Sequence, residues 1–178
     1  MPWLLPLFLL VSLQASPKSD PLRFVKDFDK FAELDKANPH PTKNLTLFTG
    51  SSTIRRWNTL SKDFPGIPVL NRGFGGSQLS QVLHHFDDLF ARYKPVRIVL
   101  YCGENDLWDG KTVEEALTDF TTLVTRIRKV LPNTPLIYLS CKPSPKRMSK
   151  WKTYQELNGK IRTLCEKDPL LTFVDLST

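Results

Sequence analysis

A serine near residue 50 has the surroundings that nucleophilic chemistry requires. An apolar run, Leu45 to Thr49, stops at Gly50, and a stretch that can be helical follows Ser51 and Ser52. This pattern predicts a strand, a tight turn and a helix start, with Ser52 at the mouth of the helix. A serine there can attack an acyl carbon while backbone N–H groups hold the resulting oxyanion. The same serine could instead only cap the helix.

Two further loops carry groups that could complete such a site. Gly75 and Gly76 lie in a glycine-rich loop, where no side chain blocks a close approach to the backbone N–H groups. Asn105 offers an amide NH2 at the end of another predicted strand. A serine nucleophile, a glycine N–H and an asparagine donor together make an attacking group and an oxyanion hole. Trp108 follows the Asn105 loop and could line the pocket.

The elements that must position these residues alternate between strand and helix. A parallel sheet with helices on both faces is the architecture that such alternation favours, and it brings the loops after the strands together at one edge. We therefore predict an α/β fold with three layers, αβα, around a flavodoxin-like five-stranded parallel sheet. The predicted strands are Leu45 to Thr49, Val69 to Asn71, Val96 to Cys102, Leu136 to Cys141, and Leu171 to Asp175.

Apolar residues at helical spacing predict the helices. The clearest helix extends to Leu131, with Glu114 and Glu115 in its first turn and basic residues in its last turns, as the helix dipole favours. Four more segments are expected to be helical: residues 21–38, the stretch that has Ile54, Trp57 and Leu60 on one face, the apolar stripe from Leu79 to Phe90, and the segment from Trp151 to Cys165.

The three loops resemble sequence blocks of the SGNH hydrolases, also called the GDSL esterase/lipase family, whose name lists a Ser, a Gly, an Asn and a His. Gly50-Ser51-Ser52-Thr53 is similar to the first block, Asn71-Arg72-Gly73-Phe74-Gly75-Gly76 to the second and Gly103-Glu104-Asn105-Asp106 to the third. The likeness is strongest to the bacterial secreted branch similar to the platelet-activating-factor acetylhydrolase α-subunit type. It covers residues 43–176. It implies Ser52 as the nucleophile, with an oxyanion hole made by the N–H groups of Ser52 and Gly76 and the side chain of Asn105.

Two departures from the family's pattern limit this implication. Ser51 stands where the first block usually has Asp, and a serine can still form hydrogen bonds within the turn. The fourth block, Asp-x-x-His, should follow the fifth strand, but Asp175-Leu176-Ser177-Thr178 contains no histidine. Without a base, a serine hydroxyl stays protonated and is a poor nucleophile at neutral pH. His40, His84 and His85 do not look like substitutes, because they lie in a turn before the first strand and within a helix.

The simplest explanation of the missing block is a truncated chain. Such a chain would bind its substrate but turn it over weakly or not at all, and apolar sheet surface would be left uncovered. A second interpretation is therefore kept open, in which the chain is a catalytically impaired, flavodoxin-like ligand-binding or interaction domain. The interpretation that the family resemblance favours is a serine esterase that hydrolyses a small carboxylic ester through an acyl-serine intermediate. Its substrate could be an O-acetyl group on a carbohydrate.

Composition excludes several other classes of function. The chain has 178 residues, enough for one domain with a full core, and 40% of them are hydrophobic. The net charge of +7 comes from basic residues scattered along the chain, which argues against nucleic acid as a partner. No His or Cys spacing suits a metal, and no cofactor is implied. The expected partner is a small-molecule ester.

The N-terminal segment has the features of an export signal. Trp3 to Leu13 is almost entirely apolar and too short to span a bilayer, and Ala15 is a plausible cleavage site. We predict a signal peptide at 1–16, a lead-in with one helix at 17–42 and the hydrolase domain at 43–178. The protein would be secreted or periplasmic, with no stable membrane anchor. Its three cysteines are expected to be small buried side chains, and a Cys102–Cys141 bridge stays open.

Overall fold

A computed structural model describes residues 20–177, so the predicted signal segment at 1–16 lies outside the described residues. One sheet of five parallel strands runs through the molecule in the order β2-β1-β3-β4-β5. This order confirms the predicted flavodoxin-like α/β fold. The strands are β1 (Thr46–Gly50), β2 (Val69–Gly73), β3 (Arg97–Tyr101), β4 (Leu136–Leu139) and β5 (Leu171–Val174).

Helices connect successive strands. The longest, α6, begins after Thr112, whose hydroxyl accepts the N–H of Glu115 while the Glu115 carboxylate accepts the N–H of Thr112. This reciprocal cap explains why the helix starts there. Two 3-10 helices (Pro21–Phe24 and Pro145–Lys150) and a π-helical turn (Asp87–Ala91) complete the described elements. The α-helices are α1 (Val25–Ala37), α2 (Ser52–Arg55), α3 (Leu60–Asp63), α4 (Leu79–His84), α5 (Glu104–Trp108), α6 (Val113–Val130) and α7 (Trp151–Cys165).

The two faces of the sheet are covered unequally. On one face, Leu47, Leu100 and Tyr138 are buried in a large core with residues of α4, α6 and α7. The other face has a smaller core around Phe48, Val99 and Tyr101, packed by the segment that contains α2 and α3. An apolar groove of about 200 Å³ remains on this second face, with Val99, Ile137 and Leu139 among its lining residues.

The single helix predicted for Ile54, Trp57 and Leu60 is wrong. The structure has two short helices instead, because α2 ends at Arg55 and α3 begins at Leu60. The side chain of Asn71 on β2 lies at this break, where its Nδ2 donates to the carbonyl of Ile54 at 2.6 Å and to that of Trp57 at 3.4 Å. The same carbonyls accept the backbone N–H groups of Trp57 and Leu60, three residues further along the chain, so the backbone here does not follow the α-helical i→i+4 pattern.

The apolar stripe from Leu79 to Phe90 is buried except for the half-buried Leu83, but it is not one regular helix. Regular α4 ends at His84, and a π-helical turn carries Leu89 and Phe90. The backbone departs from helical geometry at His85 (ψ 26°), whose ring stacks on Phe28 of α1 with 3.9 Å between the ring centroids. This stacking joins the N-terminal helix to the core.

A buried carboxylate holds the loop after β3 against the helix after β2. Asp106 is fully buried, and its two carboxylate oxygens accept the N–H of Leu79 at 3.0 and 3.1 Å. The ammonium of Lys111 donates to Asp106 at 3.0 Å and also to Asp119 and to Ser80. Burial raises the pKa of Asp106, and the attraction of Lys111 opposes that rise. The carboxylate thus adds to the reciprocal cap of α4, in which the side-chain oxygen of Gln81 accepts the N–H of Gln78 at 2.8 Å.

Replacing Asp106 by Asn should destabilise the fold much more than replacing Asp119, which contacts the same lysine from a more exposed position. Asp106→Asn leaves the start of α4 and Lys111 without a buried charge partner, and we expect a loss of about 2–3 kcal/mol in the free energy of unfolding. The matched control, Asp119→Asn, should cost less than about 1 kcal/mol. Urea unfolding measures both values, and equal losses would contradict this role for Asp106.

Candidate active site

The turn after β1 depends on Gly50. Its φ is +113°, and a Cβ built there would lie 2.7 Å from the carbonyl carbon of Tyr101 and 3.1 Å from its nitrogen. Since no side chain fits, the ends of β1 and β3 can approach each other closely. The N–H of Ser51 then donates to the carbonyl of Tyr101 at 2.9 Å, which fixes where the chain enters α2.

Ser52 is the first residue of α2 and is half-buried at the carboxyl edge of the sheet. Ser51, which is 1% exposed, holds the capping position instead, with extended backbone geometry. The helix-cap alternative considered for Ser52 therefore applies to its neighbour. Within residues 20–177 no hydrogen bond engages the Ser52 hydroxyl, so that hydroxyl can face a ligand.

The glycine-rich loop is attached to the same edge. The N–H of Phe74 donates to the carbonyl of Gly50 at 2.8 Å, which ties this loop to the serine turn. Gly76 has a φ of +86°, the left-handed region that favours glycine. Its N–H donates to no backbone carbonyl in the part of the chain that the structure describes. It is therefore a donor without an internal acceptor.

Asn105 joins the third loop to the second. Its side chain is almost fully buried in α5, and Nδ2 donates to the carbonyl of Ser77 at 2.9 Å. An asparagine amide has two N–H donors, so one of them is left for another acceptor. The Oδ1 atom accepts from Nη2 of Arg147 at 3.0 Å, and this contact sets which way the amide group faces.

Trp108 and Arg147 lie on the same side of the site. The Arg147 guanidinium carbon is 5.2 Å from the centroid of the Trp108 ring, a cation–π arrangement. Trp108 is half-buried at the end of α5. The tryptophan predicted as a pocket wall thus supports the arginine that holds Asn105.

The strand order explains why these loops meet. The chain passes from β1 outward to β2, then returns across β1 to β3, so the crevice between the ends of β1 and β3 is a topological switch point. Open α/β sheets bind their ligands at such a point. Ser52, Gly75, Gly76 and Asn105 all follow the ends of β1, β2 and β3, and the structure brings their loops into contact there.

The three histidines are held elsewhere. The ring of His40 packs edge-on against Tyr93, with 4.8 Å between centroids, and His85 is buried against Phe28. His84 is exposed at the end of α4, edge-on to His85. None of these packing partners belongs to the Ser52 turn.

Other catalytic groups are not assembled at this edge. Cys102, Cys141 and Cys165 are all free thiols, so the Cys102–Cys141 bridge does not form. Burial raises the pKa values of Cys102 and Cys141, which keeps both thiols protonated and unreactive. Among residues 20–177 no group of three His, Cys, Asp or Glu side chains is placed to hold a metal ion. In the same range no helix has the length and apolarity needed to cross a membrane.

Comparison with known proteins identifies the family. Residues 40–178 match the pattern of the GDSL-like lipase/acylhydrolase family. The chain belongs to this family. The GDSL-like hydrolase is thus an enzyme that acts on ester bonds, and the predicted family is confirmed. No match was found among curated proteins.

Solved structures share the fold of the GDSL-like hydrolase. A platelet activating factor protein from Streptococcus pneumonia is 23% identical, with a TM-score of 0.71 over 85% of this chain and 73% of that chain. A GDSL-like lipase from Bacteroides thetaiotaomicron is 19% identical, with a TM-score of 0.70 over 83% and 77%. An acetylxylan esterase from Geobacillus stearothermophilus is 15% identical, with a TM-score of 0.60 over 76% and 77%.

Sequence reasoning missed two side chains of this site. In the sequence, Arg147 is not singled out among the scattered basic residues, and Asn71 is included only as part of a motif. Both act across the fold, Arg147 on Asn105 and Asn71 on the carbonyl that ends α2. No local pattern marks such contacts, because the partners lie 42 and 17 residues apart along the chain.

The close packing at Gly50 gives a direct test of the serine turn. Gly50→Ala should lower the free energy of unfolding by about 3 kcal/mol or more, because the new Cβ adds a backbone clash to the cost of positive φ. Gly66→Ala is the matched control: φ is +78° there, but nothing lies within 4 Å of an added Cβ. The control should lose only about 1 kcal/mol. Similar losses in chemical denaturation would show that contact with Tyr101 does not matter.

Proposed function

We propose that this hydrolase is a serine esterase that cleaves a small carboxylic ester through an acyl-serine intermediate. The observation that carries the proposal is a set of unsatisfied donors beside an unengaged hydroxyl. The N–H groups of Ser52 and Gly76 donate to no backbone carbonyl in residues 20–177, and Asn105 has one amide N–H left. Three such donors around a serine suit a developing oxyanion.

The reaction follows from this arrangement. Ser52 Oγ bonds to the acyl carbon and gives its proton to a base, while the carbonyl oxygen becomes an oxyanion held by the three donors. The tetrahedral intermediate then releases the alcohol, which takes up a proton, and leaves the acyl group on Ser52. Water attacks this ester in the same way, releasing the acid and restoring the serine. A general base is needed in both halves of the reaction.

An acetyl ester of a carbohydrate is the substrate we favour. The serine lies on an open edge, and one relative in fold is an acetylxylan esterase. We also propose that the protein is exported, on the basis of the apolar segment from Trp3 to Leu13. The competing function is a binding domain without catalysis, in which the same unsatisfied N–H donors would hold an anionic or carbonyl group of a ligand without chemistry.

The nucleophile can be tested even when turnover is slow. Incubation with p-nitrophenyl acetate and added imidazole, which supplies a soluble base, should place one acetyl group on Ser52. Peptide mass spectrometry locates the acetyl group. Ser52→Ala should show no adduct, whereas Ser149→Ala, which removes an exposed serine hydroxyl outside the site, should be acetylated like the wild type. An adduct on another residue, or equal labelling of Ser52→Ala, would sink the assignment.

The oxyanion hole predicts a separate rate effect. Asn105→Ala removes a donor to the oxyanion, and acetylation of Ser52 should slow by about 10²–10³-fold. Asn133→Ala, at an exposed turn, is the control and should keep the wild-type rate. Thermal unfolding of both variants establishes that they are folded. A folded Asn105→Ala protein with an unchanged acetylation rate would exclude this role for the amide.

A further inference from the structure

Arg55 lies directly against the glycine-rich loop. A Cβ built on Gly75 would lie 2.6 Å from both Nε and Nη2 of Arg55, so the guanidinium occupies the space beside this backbone. Arg55 ends α2, the helix that begins with Ser52. The guanidinium is therefore close to the helix that begins with Ser52 and to the residue before Gly76, whose N–H is the proposed oxyanion donor.

Two buried or half-buried arginines of this region, Arg72 and Arg147, have protein partners. Arg72 is buried and binds Asp35 and the hydroxyl of Tyr93. Arg147 donates to Asn105. The guanidinium of Arg55, in contrast, makes no hydrogen bond or ion pair with any residue in the range 20–177, and this side chain is solvent-exposed beside the candidate site.

No carboxylate of residues 20–177 forms an ion pair with this guanidinium, and the acidic residues of the Asn105 loop have other partners. Glu104 accepts the N–H of Lys142 at 3.4 Å, and Asp109 accepts from Nε2 of Gln78 at 3.2 Å. Asp106 is buried with Lys111. A guanidinium without such a partner can bind a carboxylate or another anion through charge-assisted hydrogen bonds.

Arg55 also lines a cleft that is large enough to hold part of a substrate. The cleft has a volume of about 430 Å³ and lies between α1 and the segment that contains α2 and α3. Its lining combines aromatic rings, Phe31 and Trp57, with a second cation, Lys30, and one opposing carboxylate, Asp27. Aromatic surface next to a cation suits a ring that carries a negative charge.

We infer that the substrate is an anionic ester, whose negative group binds Arg55 at the mouth of this cleft while its acyl carbon lies at Ser52. This inference rests on the proposed esterase function and names its substrate class. Carboxylated esters, such as acetylated acidic sugars, have the required chemistry. A neutral ester would leave Arg55 without a partner in the complex.

Two substrates of similar shape that differ in charge test the inference. The probes are 4-acetoxybenzoate and its uncharged methyl ester, and the readout is the ratio of their rates of Ser52 acetylation. Because both probes transfer the same acetyl group to Ser52, a general loss of reactivity lowers both rates and does not change their ratio. In Arg55→Gln the anionic-to-neutral ratio should fall by about fivefold, the size of an exposed charge pair. Arg56→Gln, which removes the same charge from the adjacent exposed residue, should leave the ratio unchanged.

A binding measurement separates this inference from the esterase proposal. The probes 4-acetamidobenzoate and its methyl ester carry an amide in place of the acetyl ester, and their affinities for the Ser52→Ala protein can be measured by NMR titration. We expect the anionic probe to bind more tightly than the neutral one. This difference in affinity should disappear at high salt, and also in the double variant that carries Arg55→Gln in addition to Ser52→Ala. Equal binding of both probes would overturn the anion site. If the anionic probe binds more tightly but Ser52 is never acetylated, the anion site stands and only the esterase proposal is overturned.

Discussion

The contact between the ends of β1 and β3 determines the geometry of the whole site. Gly50 permits it, because any side chain there would collide with the backbone of Tyr101. The hydrogen bond from Ser51 to Tyr101 then sets the start of α2, and with it the position of Ser52. The strand order places this contact at the switch point of the sheet, so Ser52 lies where the loops after β2 and β3 also meet.

Buried charges and amides keep these loops in place. Asp106 joins the start of α4 to the loop after β3, while Asn105 in the same short helix holds the carbonyl of Ser77. Arg147 approaches Asn105 from the opposite side. The asparagine is thus fixed through both ends of its amide, which reduces the reorganisation needed when charge develops on a substrate. A rigid donor set of this kind explains why so few residues can form the site.

The parts of the fold that depend on local patterns were predictable. Strand and helix alternation indicates the parallel sheet, and a glycine before two serines indicates the turn that carries Ser52. The continuous helix expected after that turn fails where Asn71, on the separate strand β2, donates to the carbonyls of Ile54 and Trp57, a contact that no local pattern marks. The Arg147 contact and the exposed guanidinium of Arg55 beside Gly75 were likewise beyond a local pattern, since each depends on how distant segments pack.

The central claim is that Ser52, Gly76 and Asn105 act on one oxyanion. A crystal structure of the protein after reaction with a fluorophosphonate, in the presence of imidazole, tests it most directly, because the adduct mimics the tetrahedral intermediate. We expect phosphorus bonded to Ser52 Oγ and a phosphonyl oxygen about 3 Å from the N–H groups of Ser52 and Gly76 and from Asn105 Nδ2. A phosphonyl oxygen that points away from these donors, or an adduct on another residue, would contradict the account.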